Sequence, residues 1–474
     1  MRDFRSIVTR RGSSLIKAGR ALVLAGLLSG LAVSPAIGGA APPARAASAP
    51  NRHDATATAQ AVTATASASA SVDASFQTAT PTVGGSDNGV ASATATNAAT
   101  ATNTPTASAT PTPTASPTQT LRPITLPKPV VHRTNGYQVG AYYFSGWTHA
   151  PNNNLTSLLL NGPLRKYEPL IGWYDDAQQL VDQNIMQASN AGINFFAFDY
   201  YDTARSPYNT DRALNEGLTF YLHSALRSRM NFCLNFIDQN PFEPKASQWP
   251  QLVSVWLSYF KQPDYVRVGG KPLFIIFSPE HMRDIFGSSR NVHRALDYLR
   301  ARARAYGLPG VTVAVGASLA VKYNSSRIPQ LRGEGYDVLT GYNYHSFGGE
   351  NYRQPVPYDR LVQENRQMWD RNLKYGQPYF PVVTSGWDQR FSAREQSTAI
   401  IYSGRTPQKF ACYVGAARRW VDTHPRNTVK EKIIMVFAWN ETGEGGEIIP
   451  TRADRYAYTS ALNGAIMART APNC

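Results

Sequence analysis

Residues 191–202 read Ala-Gly-Ile-Asn-Phe-Phe-Ala-Phe-Asp-Tyr-Tyr-Asp. Within it, 194–201 has the length and composition of a strand, apolar on both faces as parallel strands must be. A helix-length amphipathic run, 176–191, precedes it, and another, 212–229, follows. The same alternation extends in both directions. Further strands are predicted at 139–144, 231–238, 272–278, 311–317, 338–344, 379–385 and 432–439. Helices are predicted at 251–260, 292–306, 358–372 and 409–422, and the link around 320–335 is the least helical. Eight strands alternating with helices predict an α/β protein of the (β/α)8 TIM-barrel type. The rival, a doubly wound sheet, would carry a glycine-rich dinucleotide turn after its first strand, and none is present.

This alternation begins only near residue 136. From 47 to 120 there is no Leu, Ile, Met, Trp or Tyr, and Phe76 is the lone Phe. Such an Ala/Thr/Ser/Pro tract cannot bury enough apolar surface to offset its chain entropy, so disorder is expected. Ahead of it, a basic segment leads into the apolar run 21–33 and then small residues, the pattern of a secretory signal. The competing reading of that segment is an uncleaved anchor. The expected organisation is a signal peptide at 1–46, a disordered low-complexity linker at 47–135 and one catalytic domain at 136–474. The protein is then expected to be secreted or at the cell surface, with the tract as a stalk that offers a route to surface association.

The formal charge of +15 suggests nucleic acid at first sight. Seven of the basic residues, Arg2, Arg5, Arg10, Arg11, Lys17, Arg20 and Arg45, lie in the leader against Asp3 alone. The remainder is diffuse and accompanies no nucleic-acid motif, so no nucleic-acid partner is expected. The three cysteines, Cys233, Cys412 and Cys474, make no disulfide framework. No Cys or His group has ligand spacing, so neither a metal nor another cofactor is expected.

In a barrel of this type the chemistry gathers at the C-terminal ends of the strands. The predicted strand ends hold Tyr142, Tyr143 and Trp147; Asp199, Tyr200 and Tyr201; Asp238 and Asn240; Asn343, Tyr344 and His345; Trp387 and Asp388; and Trp439 and Asn440. Aromatic faces stack on the C–H faces of sugars, while acids and amides bond to hydroxyls. Phosphate would call for arginine, lysine or backbone nests, which are scarce at these positions. The ring therefore points to a neutral glycan in a cleft. Each member alone is more often a packing residue; the joint pattern carries the inference.

Glu441 and Glu444 stand out within this ring. They lie three apart directly after an apolar strand, among Gly443, Gly445 and Gly446. Two carboxyls on one turn can serve one glycosidic bond, one protonated to help the leaving oxygen depart and one ionised as base or nucleophile. Their proximity splits their pKa values. Glu447 is a third acid in the same loop and competes for either role.

The run Trp439-Asn440-Glu441-Thr442-Gly443-Glu444-Gly445, with Glu447 and Pro450, resembles a signature of the endo-α-mannosidase-like glycoside hydrolases of family 99 and of their relatives, the WbsX-type polysaccharide proteins. Similar matches occur at Gly140-Ala141-Tyr142-Tyr143, Tyr174-Asp175, Gln187-Ala188, residues 191–201, residues 265–273 and Gly386-Trp387-Asp388. The resemblance covers about residues 137–450. It implies a (β/α)8 fold and metal-free, retaining action on α-mannoside-type glycans, with the sugar's own 2-hydroxyl as nucleophile and an anhydro-sugar intermediate. By position it makes Glu441 the base for that hydroxyl and Glu444 the acid that protonates the leaving group and then activates water. Thr442 and Gly443 depart from the family, which often has an aromatic and then a bulky or polar residue there. The expectation is an endo-acting glycoside hydrolase, monomeric, with a polysaccharide or glycan substrate. The competing readings are a non-catalytic polysaccharide-binding surface module and a glycosyltransferase of polysaccharide assembly.

Overall fold

The computed structural model describes residues 134–145, 162–173, 176–203, 213–239, 241–316, 327–343, 355–391 and 400–473. The predicted leader and nearly all of the linker lie outside the described residues, as do Trp147, Asn240, Tyr344 and His345.

Eight parallel strands form the core: β1 (Gln138–Tyr143), β2 (Phe195–Tyr200), β3 (Asn231–Phe236), β4 (Lys271–Ile276), β5 (Thr312–Gly316), β6 (Val338–Thr340), β7 (Val382–Thr384) and β8 (Ile433–Phe437). They pair in the order β6-β5-β4-β3-β2-β1-β8-β7. A parallel bridge from Leu339 to Tyr379 brings the two edges together, so the sheet is a nearly closed barrel and leaves little unpaired strand edge. Every predicted strand is present.

Helices follow the strands as a (β/α)8 barrel requires: α1 (Gln178–Asn190), α2 (Glu216–His223), α3 (Trp249–Phe260), α4 (Pro279–Phe286), α5 (Ser289–Ala305), α6 (Arg327–Gly333), α7 (Tyr358–Asn372), α8 (Pro407–Thr423) and α9 (Ala457–Met467). α3 shows why they form. Trp249, Leu252, Val253, Trp256, Leu257 and Phe260 are buried and recur at helical spacing, giving one apolar stripe to lay on the barrel. α8 is started by Thr406, whose hydroxyl accepts from Lys409 N at 3.2 Å, with Pro407 in its first turn. α2 is shorter than predicted because the chain turns at Ser224, whose hydroxyl accepts from Leu226 N, and resumes as a short 3-10 turn at Arg227–Arg229.

Strand alternation sorts the side chains into two shells. On β2, Phe196, Phe198 and Tyr200 face the helices: Phe198 packs on Tyr221 of α2 and Tyr200 on Trp256 and Tyr259 of α3. Phe195, Ala197 and Asp199 face the barrel interior. Gly140 of β1 is where that interior is tightest, since a Cβ there would lie 2.3 Å from the Phe195 ring and 2.5 Å from the Met435 sulfur. Cys233 is free and buried in β3, and Cys412 of α8 is disulfide-bonded, a link that sequence spacing did not reveal. No helix among the described residues is long and apolar enough to cross a membrane.

Candidate active site

The site is built on the loop after β8. Thr442–Glu444 form one 3-10 turn, with Glu444 N donating to Glu441 O and Gly445 N to Thr442 O. Side chains three apart on such a turn project on the same side, which sets the Glu441 and Glu444 carboxyls together. Gly445 closes the turn at φ +63°, a left-handed conformation that favours glycine. The loop is pinned from β7: Asp388 N donates to Glu444 O at 2.8 Å, and Ser385 Oγ donates to Gly446 O at 2.5 Å. Gly386 makes this approach possible, since a Cβ there would lie 2.6 Å from Gly445 O.

Three carboxyls converge. Glu441 and Glu444 are only 7% and 8% exposed, and Asp199, at the end of β2, 2%. Tyr342, just past β6, bridges two of them, with Oη 2.7 Å from Asp199 Oδ2 and 2.6 Å from Glu441 Oε1. Asn343 Nδ2 donates to Glu444 Oε2 at 3.2 Å. Asn235 of β3 sits opposite Asp199 in the β2–β3 register and donates to its Oδ1 at 2.8 Å.

Burial pushes Glu441 up to about 7, opposed by the hydrogen bond from Tyr342. Glu444 is raised well above the carboxylate range by burial and then by the Glu441 charge. Asp199 is raised for the same two reasons. Among the described residues no lysine or arginine figures in any of these shifts. Three carboxyls without a cation in a dry site cannot all ionise, so the cluster holds protons at neutral pH. That is the electrical state an acid–base pair needs.

The other predicted site residues divide by strand face. Tyr142 is buried above the barrel interior; its hydroxyl donates to Gly341 O, and its ring packs 4.7 Å from that of Tyr342. Tyr201 is buried beside the cluster, close enough for Asp199, Glu441 and Glu444 to disfavour its ionisation. Asn343 and Trp387 also belong to this end of the barrel, Trp387 with its ring 6.1 Å from Phe437. Tyr143, by contrast, faces α1, donating to Asp176 and accepting from Asn184. Trp439 donates to the same Asn184. Asn440 clamps the end of β1, accepting from Phe144 N and donating to Phe144 O. Asp388 is paired with Arg390. Asp238 is fully buried and accepts from Ser278 N, holding the end of β3 to that of β4. Tyr143, Tyr200, Trp439 and Asn440 thus brace the barrel behind the carboxyls rather than line them. Tyr342 stands at the end of the sixth predicted strand beside Asn343 but was not singled out as a binding residue, and Asn235 was missed. The signal for Asn235 was a polar side chain set between Leu234 and Phe236 in β3.

These features define a (β/α)8-barrel protein with a buried, proton-sharing carboxyl cluster at the C-terminal ends of its strands. The family model described as "Glycosyltransferase WbsX" matches residues 144–462, and the chain belongs to that family. Searches among curated proteins gave no match. Among solved structures, the chain is similar to a protein described as "Glycoside hydrolase-like protein" at 17% identity, covering 69% of this chain and 92% of that one with a TM-score of 0.47. It is also similar to the GH99 endo-alpha-mannosidase from Bacteroides thetaiotaomicron at 12% identity, covering 69% and 97% with a TM-score of 0.44. A Caldicellulosiruptor lichenase is similar at 12% identity, covering 73% and 97% with a TM-score of 0.40.

Proposed function

We propose that the chain is a secreted, endo-acting, retaining glycoside hydrolase for α-mannoside-type or related α-glycans. The observation that carries this reading is the Glu441/Glu444 pair: two buried carboxyls on one turn at the reactive end of the barrel, sharing protons with no described cation beside them. Glu441, with the lower proton affinity, takes the proton of the sugar 2-hydroxyl as that oxygen bonds to the anomeric carbon. Glu444 gives its proton to the departing glycosidic oxygen. The 1,2-anhydro sugar is then opened by water, whose proton returns to Glu444, while the 2-oxygen recovers its proton from Glu441. Proton balance is closed over the two steps.

Secretion is supported by the leader pattern at 1–46 and by the bonded state of Cys412, since disulfides persist mainly in oxidising compartments. The tract at 47–135 then serves as a spacer holding the barrel off a surface. Digestion of an α-glycan panel, with product linkage and anomeric configuration determined, tests the assignment. Release of reducing ends that is lost in Glu441→Gln and in Glu444→Gln supports it; equal release in all three proteins sinks it. The description of the matching family favours a second reading, sugar transfer in polysaccharide assembly. That reading predicts turnover only with an activated donor. The carboxyl cluster argues against a nucleotide-diphosphate donor, whose charge it would repel.

A further inference from the structure

Tyr342 has one hydroxyl hydrogen and two carboxyls to serve. Its Oη is within hydrogen-bond distance of both Asp199 Oδ2 and Glu441 Oε1. One hydrogen fills one contact. The other would set lone pair against lone pair unless the facing carboxyl brings its own proton. At least one of Asp199 and Glu441 is therefore protonated when both contacts form. Depth decides between them. Asp199 is 2% exposed on the barrel wall, whereas Glu441 sits on the loop at 7%, and the deeper carboxyl suffers more from being charged. Asp199 Oδ1 is already an acceptor for Asn235 Nδ2, which leaves Oδ2 as the protonated atom.

We propose that Asp199 holds the resident proton of the cluster, donating Oδ2–H to Tyr342 Oη, so that Tyr342 gives its single hydrogen to Glu441 Oε1 and keeps that carboxyl an ionised acceptor. Asp199 and Tyr342 are then positioning residues behind the base. Neighbouring rings hold the phenol in place between the two acids. Its own ring is 4.7 Å from Tyr142, 5.3 Å from Phe277 and 4.8 Å from Phe437. Among the described residues, the other groups near the relay carry no positive charge: Asn235 on Asp199, Tyr201 beside all three acids, and Glu444 with Asn343. Burial and the Glu441 charge shift Asp199 in the direction the relay needs. Without it, the proton would pass to Glu441, which could then accept nothing from a sugar hydroxyl.

The catalytic use of the relay rests on Glu441 being the base; the location of the proton does not. Infrared spectroscopy at pH 7 on the full chain, in a Glu444→Gln background, reads the band of a buried protonated carboxyl. In the difference spectrum, adding Asp199→Asn should remove one component of that band, while the fully buried Asp238 contributes equally to both proteins. A difference spectrum that shows no loss overturns the proposal whether or not any glycan is cleaved. Where the enzyme turns over, the acid limb of kcat/KM gives the second readout. Tyr342→Phe should move it up by about one pH unit through loss of the bond to Glu441. Asp199→Leu and Asp199→Asn both leave Tyr342 its hydrogen for Glu441 and should hold the limb within about half a unit. A limb that stays put in Tyr342→Phe also overturns the relay. Absence of turnover in the wild type defeats the hydrolase reading alone.

Discussion

Glu444 and Glu447 lie three residues apart on one loop, are both buried, and are treated in opposite ways. Glu447 is 1% exposed, and its Oε1 accepts from Arg405 Nη2 at 2.6 Å. Arg405 also donates to Gly445 O at 2.9 Å and reaches Asp454 at 3.4 Å. Its guanidinium lies over the rings of Tyr167 and Tyr458. Burial raises the Glu447 carboxyl, but Arg405 works against that rise. Glu444 has no such cation among the described residues; burial and Glu441 both raise it, opposed by the amide of Asn343. A buried acid with a guanidinium is a fastener. One without is a proton store. The loop needs both, because Arg405 holds the backbone that aims Glu444.

The largest break in this comparison should come from activity. Glu444→Gln should lower kcat on a cleavable α-glycan by about 10²–10⁴-fold, the usual worth of a positioned general acid, and leave folding intact. Glu447→Gln should act the other way. It leaves the buried Arg405 with only the longer contact to Asp454 at 3.4 Å, so chemical denaturation should show a loss of about 3 kcal/mol, the low end for breaking a buried pair. If Glu447→Gln matched the wild type in stability while Glu444→Gln unfolded, the roles of fastener and proton store would be reversed.

The next effect in size is the dependence of stability on pH. Glu441, Glu444 and Asp199 all have folded pKa values above the ordinary carboxyl range, Glu441 at about 7. The folded state therefore keeps protons that the unfolded chain has released. The sign follows: this stability is full below the unfolded carboxyl range and falls as pH rises through the folded values. Unfolding free energy should drop by about 1.4 kcal/mol per pH unit for each proton that the folded state keeps and the unfolded chain has released, a slope that for Glu441 levels off above its folded value of about 7. Glu441→Gln should flatten that slope, as read by denaturation midpoints from pH 5 to 9. An unaltered slope would mean that Glu441 is not the group titrating there.

The same comparison shows what a sequence can display. All eight strands and most helices were legible because each is a contiguous run with its own period. α7 was legible residue for residue over Tyr358–Asn372. α9, Ala457–Met467, was not, since its small and polar residues give only a weak stripe. Glu441 and Glu444 were legible because their turn is local. Taking neighbouring strand-end residues together overstated the site, because alternation sends Asp199 inward and Tyr200 outward to Trp256. Arg405 was invisible for the opposite reason. Its partner Glu447 is 42 residues away in sequence, and no local pattern marks a guanidinium that will be buried by tertiary contact.

The smallest prediction asks how Glu444 is tuned without a cation. The Asn343 amide is the only described group that opposes the rise of its pKa, by donating to the ionised form. Asn343→Ala should leave that carboxyl still higher, and so better protonated at neutral pH. Because the acid form protonates the leaving group, the alkaline limb of kcat/KM should move up by a fraction of a pH unit, with less than about tenfold loss of rate. Tyr342→Phe acts on the other carboxyl and should move the acid limb instead. One variant per limb separates the two glutamates in a way that their joint loss cannot. An alkaline limb that moves down in Asn343→Ala would place Glu444 on the ionised side of the pair and exchange the roles of the two acids.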